Sequence, residues 1–168
     1  RHVERPHAAH RRIEVVERLL GDPRGDFRGH AKALVALVHH QRTVLAEGDD
    51  DRVLRAGGRL LQRGVADLTI LGEEAQIRPR AAELGVDLSA ATVLNPRTSE
   101  LCDQFAEQYA HLRKHKGVTV EQAREIIHDV SYFGTMLVHN DMVDGMVSGA
   151  AHTTAHTVRP AFEIIKTL

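Results

Sequence analysis

From Arg42 onward the chain alternates short apolar runs with longer amphipathic segments, and this alternation constrains its fold more than any other feature. "RTVLAEG" is a strand ending in a turn. "DDRVLRAGGRLLQRG" has helical spacing, with Asp50 or Asp51 as N-cap and Gly64 as stop. "ADLTILG" is a second strand, followed by a helix from Glu73 to Leu84 that Gly85 closes. "ATVLNP" is a third strand, ended by Asn95-Pro96. "TSELCDQFAEQYAHLRKHKG" reads as a long helix stopped at Gly117. "TVEQAREIIHDVSYFGTMLVHN" opens with Thr119 as N-cap and Gln122 completing a capping box. "DGMVSG" is a fourth strand, and a final helical pattern runs to Thr167. Strand–helix alternation with short turns predicts an α/β fold, a mainly parallel sheet flanked by helices.

The first part of the chain reads differently. Residues 1–41 are rich in Arg and His, and Ile13, Val16, Leu19 and Leu20 have helical spacing. The expectation is a helical appendage, or the tail of a preceding segment, ahead of an α/β domain over residues 42–168. The chain opens on Arg1 and stops at Leu168 straight after a helical pattern. It therefore reads as incomplete at both ends.

A hydrophobic fraction of 42% in 168 residues supports a real core. A formal charge of −1 gives no reason to expect nucleic acid or an anionic membrane as partner. The longest apolar runs are too short to span a bilayer, and no leader pattern is present. Cys102 is alone, which suits a reducing cytoplasm.

The common nucleotide signatures, G-x-x-x-x-G-K-[ST] and G-x-G-x-x-G, are absent, as is a G-x-S-x-G elbow, because Met146 and Ala150 flank Ser148. Of the twelve histidines, His152 and His156 are four apart, yet no zinc spacing accompanies them, so no metal is expected. Two segments carry charge in a more informative way. "HLRKHKG", residues 111–117, concentrates cations at a helix end, either to complement the helix dipole or to serve an anion site. "VDGMVSGAAHTTAHTVRPAF", residues 143–162, sets Ser148, Gly149, Ala150 and Ala151 just beyond a strand, where open α/β sheets bind ligands. Gly149 lets backbone approach an oxyanion, Thr153 and Thr154 offer hydroxyls or caps, and Arg159 offers a bidentate cation. An ordinary βα turn built from small residues accounts for the same letters equally well. Pro160 either kinks a helix begun near Thr153 or starts one itself.

"LAEGDDDRVLRAGGRLL", "RGVADLTILG", "LRKHKGVTVEQAREI" and "VDGMVSGAAHTTAHTVRPAFEIIKT", in this order, resemble the bacterial phosphate acetyltransferases, in the N-terminal part of their catalytic region. The resemblance implies a cytoplasmic acyltransferase of acetate metabolism that exchanges acetyl between CoA and phosphate. Acetyl-CoA and phosphate give acetyl phosphate and CoA, with CoA as substrate rather than bound cofactor, and without a metal. In the reverse direction a deprotonated thiol attacks acetyl phosphate within a ternary complex. It also implies a fold like that of the isocitrate and isopropylmalate dehydrogenases, with two domains around a cleft, and a homo-oligomeric full-length protein.

By position, Arg113 and Arg159 would bind phosphate or acetyl phosphate, with Ser148, Gly149, Ala150 and Thr153 completing the cradle. The family's remaining catalytic serine, arginine and aspartate lie in a "DLSRG" stretch and just after it, which does not occur before Leu168, so no catalytic residue is expected in this chain. Where the family reads Leu-Pro-Glu, this chain has Leu45-Ala46-Glu47. The alternatives are a truncated, non-catalytic relative that keeps anion binding or dimerisation, and a phosphate butyryltransferase.

Overall fold

The computed structural model describes residues 14–15 and 41–165. Five parallel strands lie in the order β1-β5-β2-β3-β4: β1 Glu14–Val15, β2 Gln41–Leu45, β3 Ala66–Leu71, β4 Thr92–Leu94 and β5 Gly145–Ser148. The expected α/β sheet and all four strands read from residues 42–168 are present. β2 and β3 share the longest register, from Gln41 opposite Ala66 to Leu45 opposite Ile70. The helical expectation for the N-terminal part does not hold at Glu14 and Val15, which pair with Val147 and Ser148 of β5. A β-branched residue suits that extended pairing, and the backbone of β5 offers partners beside β2. The rest of the appendage reading lies outside the described residues.

Successive strand residues face opposite sides, so β2 to β5 feed two cores. On one side, Leu45, Leu68 and Ile70 pack with Leu54, Leu60, Ile77 and Ala81. Those last four belong to α1 (Asp51–Gln62) and α2 (Glu74–Glu83). On the other, Val44, Leu71 and Met146 meet Phe105, Ala106, Ile127, Phe133 and Met136. That side is built by α3 (Leu101–Leu112), α4 (Val120–Ile127) and α5 (Val130–His139). The Phe105 and Phe133 rings lie 5.1 Å apart at its centre.

The caps follow sequence chemistry. Asp50, rather than Asp51, caps α1 by accepting from the Arg52 N–H. Thr119 and Gln122 form the expected capping box on α4. The segment that follows breaks into two helices, because the Asp129 carboxylate accepts from the N–H groups of Ser131 and Tyr132 and starts α5 anew. The long third helix also ends early: α3 stops at Leu112, a 3₁₀ turn covers Lys114–Lys116, and Gly117 closes it at φ 72°. Beyond β5, α6 (Thr154–Pro160) is capped by Thr153 and passes into a π turn at Ala161–Ile165. Pro160 therefore ends a helix begun at Thr154 instead of starting one. It has no N–H to bond back, and the wider turn follows.

The chain moves outward from β2 through β3 to β4, then returns past β2 to lay β5 on the other side. The order of strands reverses between β2 and β5, and the crevice at their C-terminal ends is where such sheets bind ligands.

Candidate functional site at the switch between β2 and β5

Both strands end on residues that meet. Glu47, two residues past β2, has a side chain only 1% exposed. Its Oε2 accepts from the N–H groups of Gly149 at 3.0 Å and Ala150 at 2.7 Å. Its Oε1 accepts from the N–H groups of Ala151 and His152, each at 2.9 Å, and lies 2.7 Å from His152 Nδ1. Gly149 has φ 106°, which a residue with a Cβ rarely adopts and which turns these successive N–H groups to one side.

The turn after β5 thus gathers its N–H groups on an oxyanion, and that oxyanion is the protein's own Glu47. The N–H groups of Gly149 and Ala150 expected to face phosphate are engaged by that carboxylate. Burial pushes the Glu47 carboxyl up, yet the hydrogen bonds from Ala151, Ala150 and His152 together outweigh it and hold the group below its usual range. Ser148 does not join the cradle; its Oγ is buried without a hydrogen-bond partner among the described residues. Thr153 serves as the cap of α6, its Oγ1 accepting from the His156 N–H at 3.4 Å.

Arg52 of α1 lies against this turn. It bonds the Ala150 carbonyl and pairs with Asp50, and its charge acts on Glu47. The His152 ring stacks on His156, with centroids 4.5 Å apart and planes within 14°. His156 Nε2 is 2.8 Å from Asp129 Oδ2, close enough for an ion pair but outside hydrogen-bond geometry.

Further along α6 the polar row continues through Arg159 to Glu163, at helical spacing of three and four residues. The Glu163 Oε2 accepts from Tyr109 Oη at 2.7 Å and Tyr132 Oη at 3.0 Å. Its Oε1 takes the Arg113 Nη2 at 3.4 Å. Burial, then the bond to Glu163, pushes the Tyr132 phenol up to about 12 and raises Tyr109 further. The charge of Arg159 opposes this at Tyr132.

Arg113 is therefore drawn to the Tyr132–Glu163 centre, whereas Arg159 is exposed on α6, one helical turn before Glu163. Of the cationic stretch at residues 111–117, Arg113 turns inward, its side chain 19% exposed and its Nε buried and unpartnered among the described residues. Lys114, His115 and Lys116 face solvent. Burial raises the Cys102 thiol, which sits in the core away from this row. No group of three or more His, Cys, Asp and Glu side chains could hold a metal among the described residues.

Glu47, Glu163, Tyr109 and Tyr132 were not singled out from the sequence. Glu163 shows one signal, its place one helical turn beyond Arg159. Glu47 shows another, an acid at the end of the strand that pairs with β5.

Residues 31–168 match the family model for phosphate acetyl/butaryl transferase. The chain belongs to that family. A phosphate acetyltransferase of Corynebacterium glutamicum is 56% identical over 133 residues, covering 79% of this chain and 40% of that protein. One from Nitratidesulfovibrio vulgaris is 46% identical over 77% of this chain and 18% of its own length. Among solved structures, a phosphotransacetylase from Streptococcus pyogenes superposes with a TM-score of 0.76 at 40% identity, over 84% of this chain and 43% of that one. One from Staphylococcus aureus gives 0.73 at the same identity and coverage. The chain thus spans less than half the length of these relatives. No helix among the described residues is long and apolar enough to cross a membrane.

Proposed function

We propose that this chain carries the phosphate-binding side of a phosphate acetyltransferase site. The reaction is reversible acetyl transfer between acetyl-CoA and phosphate, giving acetyl phosphate and CoA. The observation that carries the reading is the pairing of Arg113 with Glu163, one helical turn beyond Arg159, in a chain of this family. Acyl transfer to phosphate needs a polyanion held still with its charge spread over fixed donors. Two guanidinium groups supply that in bidentate form. Because Glu47 fills the backbone cradle, these two side chains, rather than the N–H groups of Gly149 and Ala150, take the phosphate. The group required at the CoA thiol comes from outside the described residues. The reading keeps the expectations of no metal, no bound cofactor, no nucleic acid, a cytoplasmic location and a homo-oligomeric full-length protein.

The test is phosphate-dependent release of CoA from acetyl-CoA, with Arg159→Ala alongside and butyryl-CoA as competing substrate. Turnover lost in the variant supports the reading, and preference for butyryl-CoA moves it to the butyryl branch of the family. A second reading is an anion-binding relative without catalysis. Phosphate binding that depends on Arg159, without turnover, selects it.

A further inference from the structure

Within the site just proposed, we infer that His152 is the proton acceptor for phosphate and Glu47 is the positioning residue that sets its tautomer. The argument begins with the hydrogen bonds. Glu47 already accepts from four backbone N–H groups, so it is an ionised acceptor with no proton to give. The 2.7 Å contact with His152 must then be a donation from Nδ1–H. A neutral imidazole whose Nδ1 carries the proton has its lone pair on Nε2. The carboxylate thus holds the ring in the form able to take a proton, as the third member of a catalytic triad does for its histidine.

The ring is placed to meet a ligand. Its side chain is 32% exposed, against 1% for Glu47, and the stacked His156 fixes its plane. It stands at the switch point, on the same row as His156, Arg159 and Glu163. Among the described residues, the charged and titratable groups about it are Glu47 after β2, Arg52 on α1, His156 on α6 and Asp129 at the start of α5. A mere staple for the turn needs only the four N–H groups. It has no use for an imidazole whose side chain is 32% exposed.

In the direction that makes acetyl phosphate, the proton of hydrogen phosphate passes to Nε2 as the phosphate oxygen bonds to the acetyl carbon. The carbon–sulfur bond breaks, and its electron pair leaves with sulfur as CoA thiolate. The imidazolium, stabilised by Glu47, later returns its proton to water. Atoms and charge balance with no further reactant.

The experiment uses the full chain in two arms. In the first, CoA release is followed against pH for wild type, His152→Asn and Glu47→Gln. The expected result is a fall in kcat of about a hundredfold or more for His152→Asn, with KM for phosphate changed by less than about threefold and the acid limb of the profile gone. Added imidazole should restore part of the activity of His152→Gly, which separates lost chemistry from misfolding. A kcat within about threefold of wild type, a persisting acid limb, or no imidazole rescue overturns the inference while leaving the phosphate acetyltransferase reading intact.

The second arm is nitrogen NMR of the imidazoles with inorganic phosphate as probe. Phosphate should shift Nε2 of His152 while Nδ1 stays protonated. An unmoved Nε2, or a ring protonated at Nε2 instead, overturns the inference even for a chain that turns over no acetyl-CoA. Absence of turnover in wild type by itself refutes only the activity proposed above.

Discussion

Removing the Glu47 carboxylate is the sharpest test of how this site is built. In Glu47→Ala five contacts go at once: the N–H groups of Gly149, Ala150, Ala151 and His152, and the Nδ1 of His152. A hydrogen bond to a charged group contributes about 1.5–3 kcal/mol, but the full sum overstates the loss. Ala150, Ala151 and His152 are partly exposed and can turn to water, whereas the Gly149 N–H is buried and keeps its whole desolvation cost of about 1–3 kcal/mol. The net expectation is about 3–5 kcal/mol, in line with losing one partner of a buried charged pair. That is a large share of the roughly 5–15 kcal/mol that holds a domain folded.

The pH dependence has a definite sign. The folded Glu47 carboxyl lies below its ordinary value of 4.5, so the unfolded chain takes up this proton first as pH falls. Its contribution is complete above that unfolded value and drains away as pH drops through the lower, folded one. Urea unfolding should therefore show the full gap between wild type and Glu47→Ala at neutral pH, at unchanged slope, and a closing gap on acidification. Formate, small enough for the emptied cradle, should raise the stability of Glu47→Ala and leave wild type unmoved. A gap below about 1 kcal/mol at neutral pH, or one that widens in acid, refutes the reasoning.

Three further outcomes rest on other contacts. At Gly48, a Cβ would stand 2.6 Å from the Leu71 carbonyl oxygen and 2.7 Å from Ile77 Cδ1, so Gly48→Ala must part β2 from β3. The expected cost is about 1–3 kcal/mol, read as a lower melting temperature. Thr119→Ala removes the Oγ1 that accepts from the Gln122 N–H and should cost about 1 kcal/mol in the same melt, without altering phosphate binding. Arg113→Lys keeps the charge but loses the planar fork beside Glu163, and should weaken phosphate binding by about tenfold in calorimetry with little loss of stability.

The parts of this fold that follow from local chemistry were legible in the sequence. Period-two apolar runs, capping residues and terminal glycines placed β2 to β5 and the helices between them. What escaped depends on contacts far apart in the chain. Glu14 and Val15 join the sheet because β5 offers them backbone partners, which no helical spacing of Ile13, Val16 and Leu19 could reveal. The break at Asp129 was hidden because the apolar pattern runs through it, while the side chain caps the helix that follows. Arg113 and Arg159 could be named from their motifs. The Tyr109–Tyr132–Glu163 cluster that Arg113 joins could not, since its members come from three elements.

The turn after β5 shows why an anion cradle cannot be assigned to a ligand from its own letters. Ser-Gly-Ala-Ala-His states that successive N–H groups will converge; it does not state on what. To those donors a carboxylate and a phosphate oxygen are nearly the same partner. The choice is made by Glu47, 102 residues from Gly149, because β2 and β5 are paired from Thr43 opposite Gly145 to Leu45 opposite Val147. That register delivers the two strand ends together, so the chain after β2 runs straight to the turn after β5. Charge then settles the outcome. A phosphate entering these N–H groups would meet a buried carboxylate already seated there, and like charges at that distance exclude it. The proposed phosphate site accordingly rests on the side chains of Arg159 in α6 and Arg113 at the end of α3. The protein keeps for itself the rigid cradle, which anchors the start of the row that carries His152, His156 and Arg159.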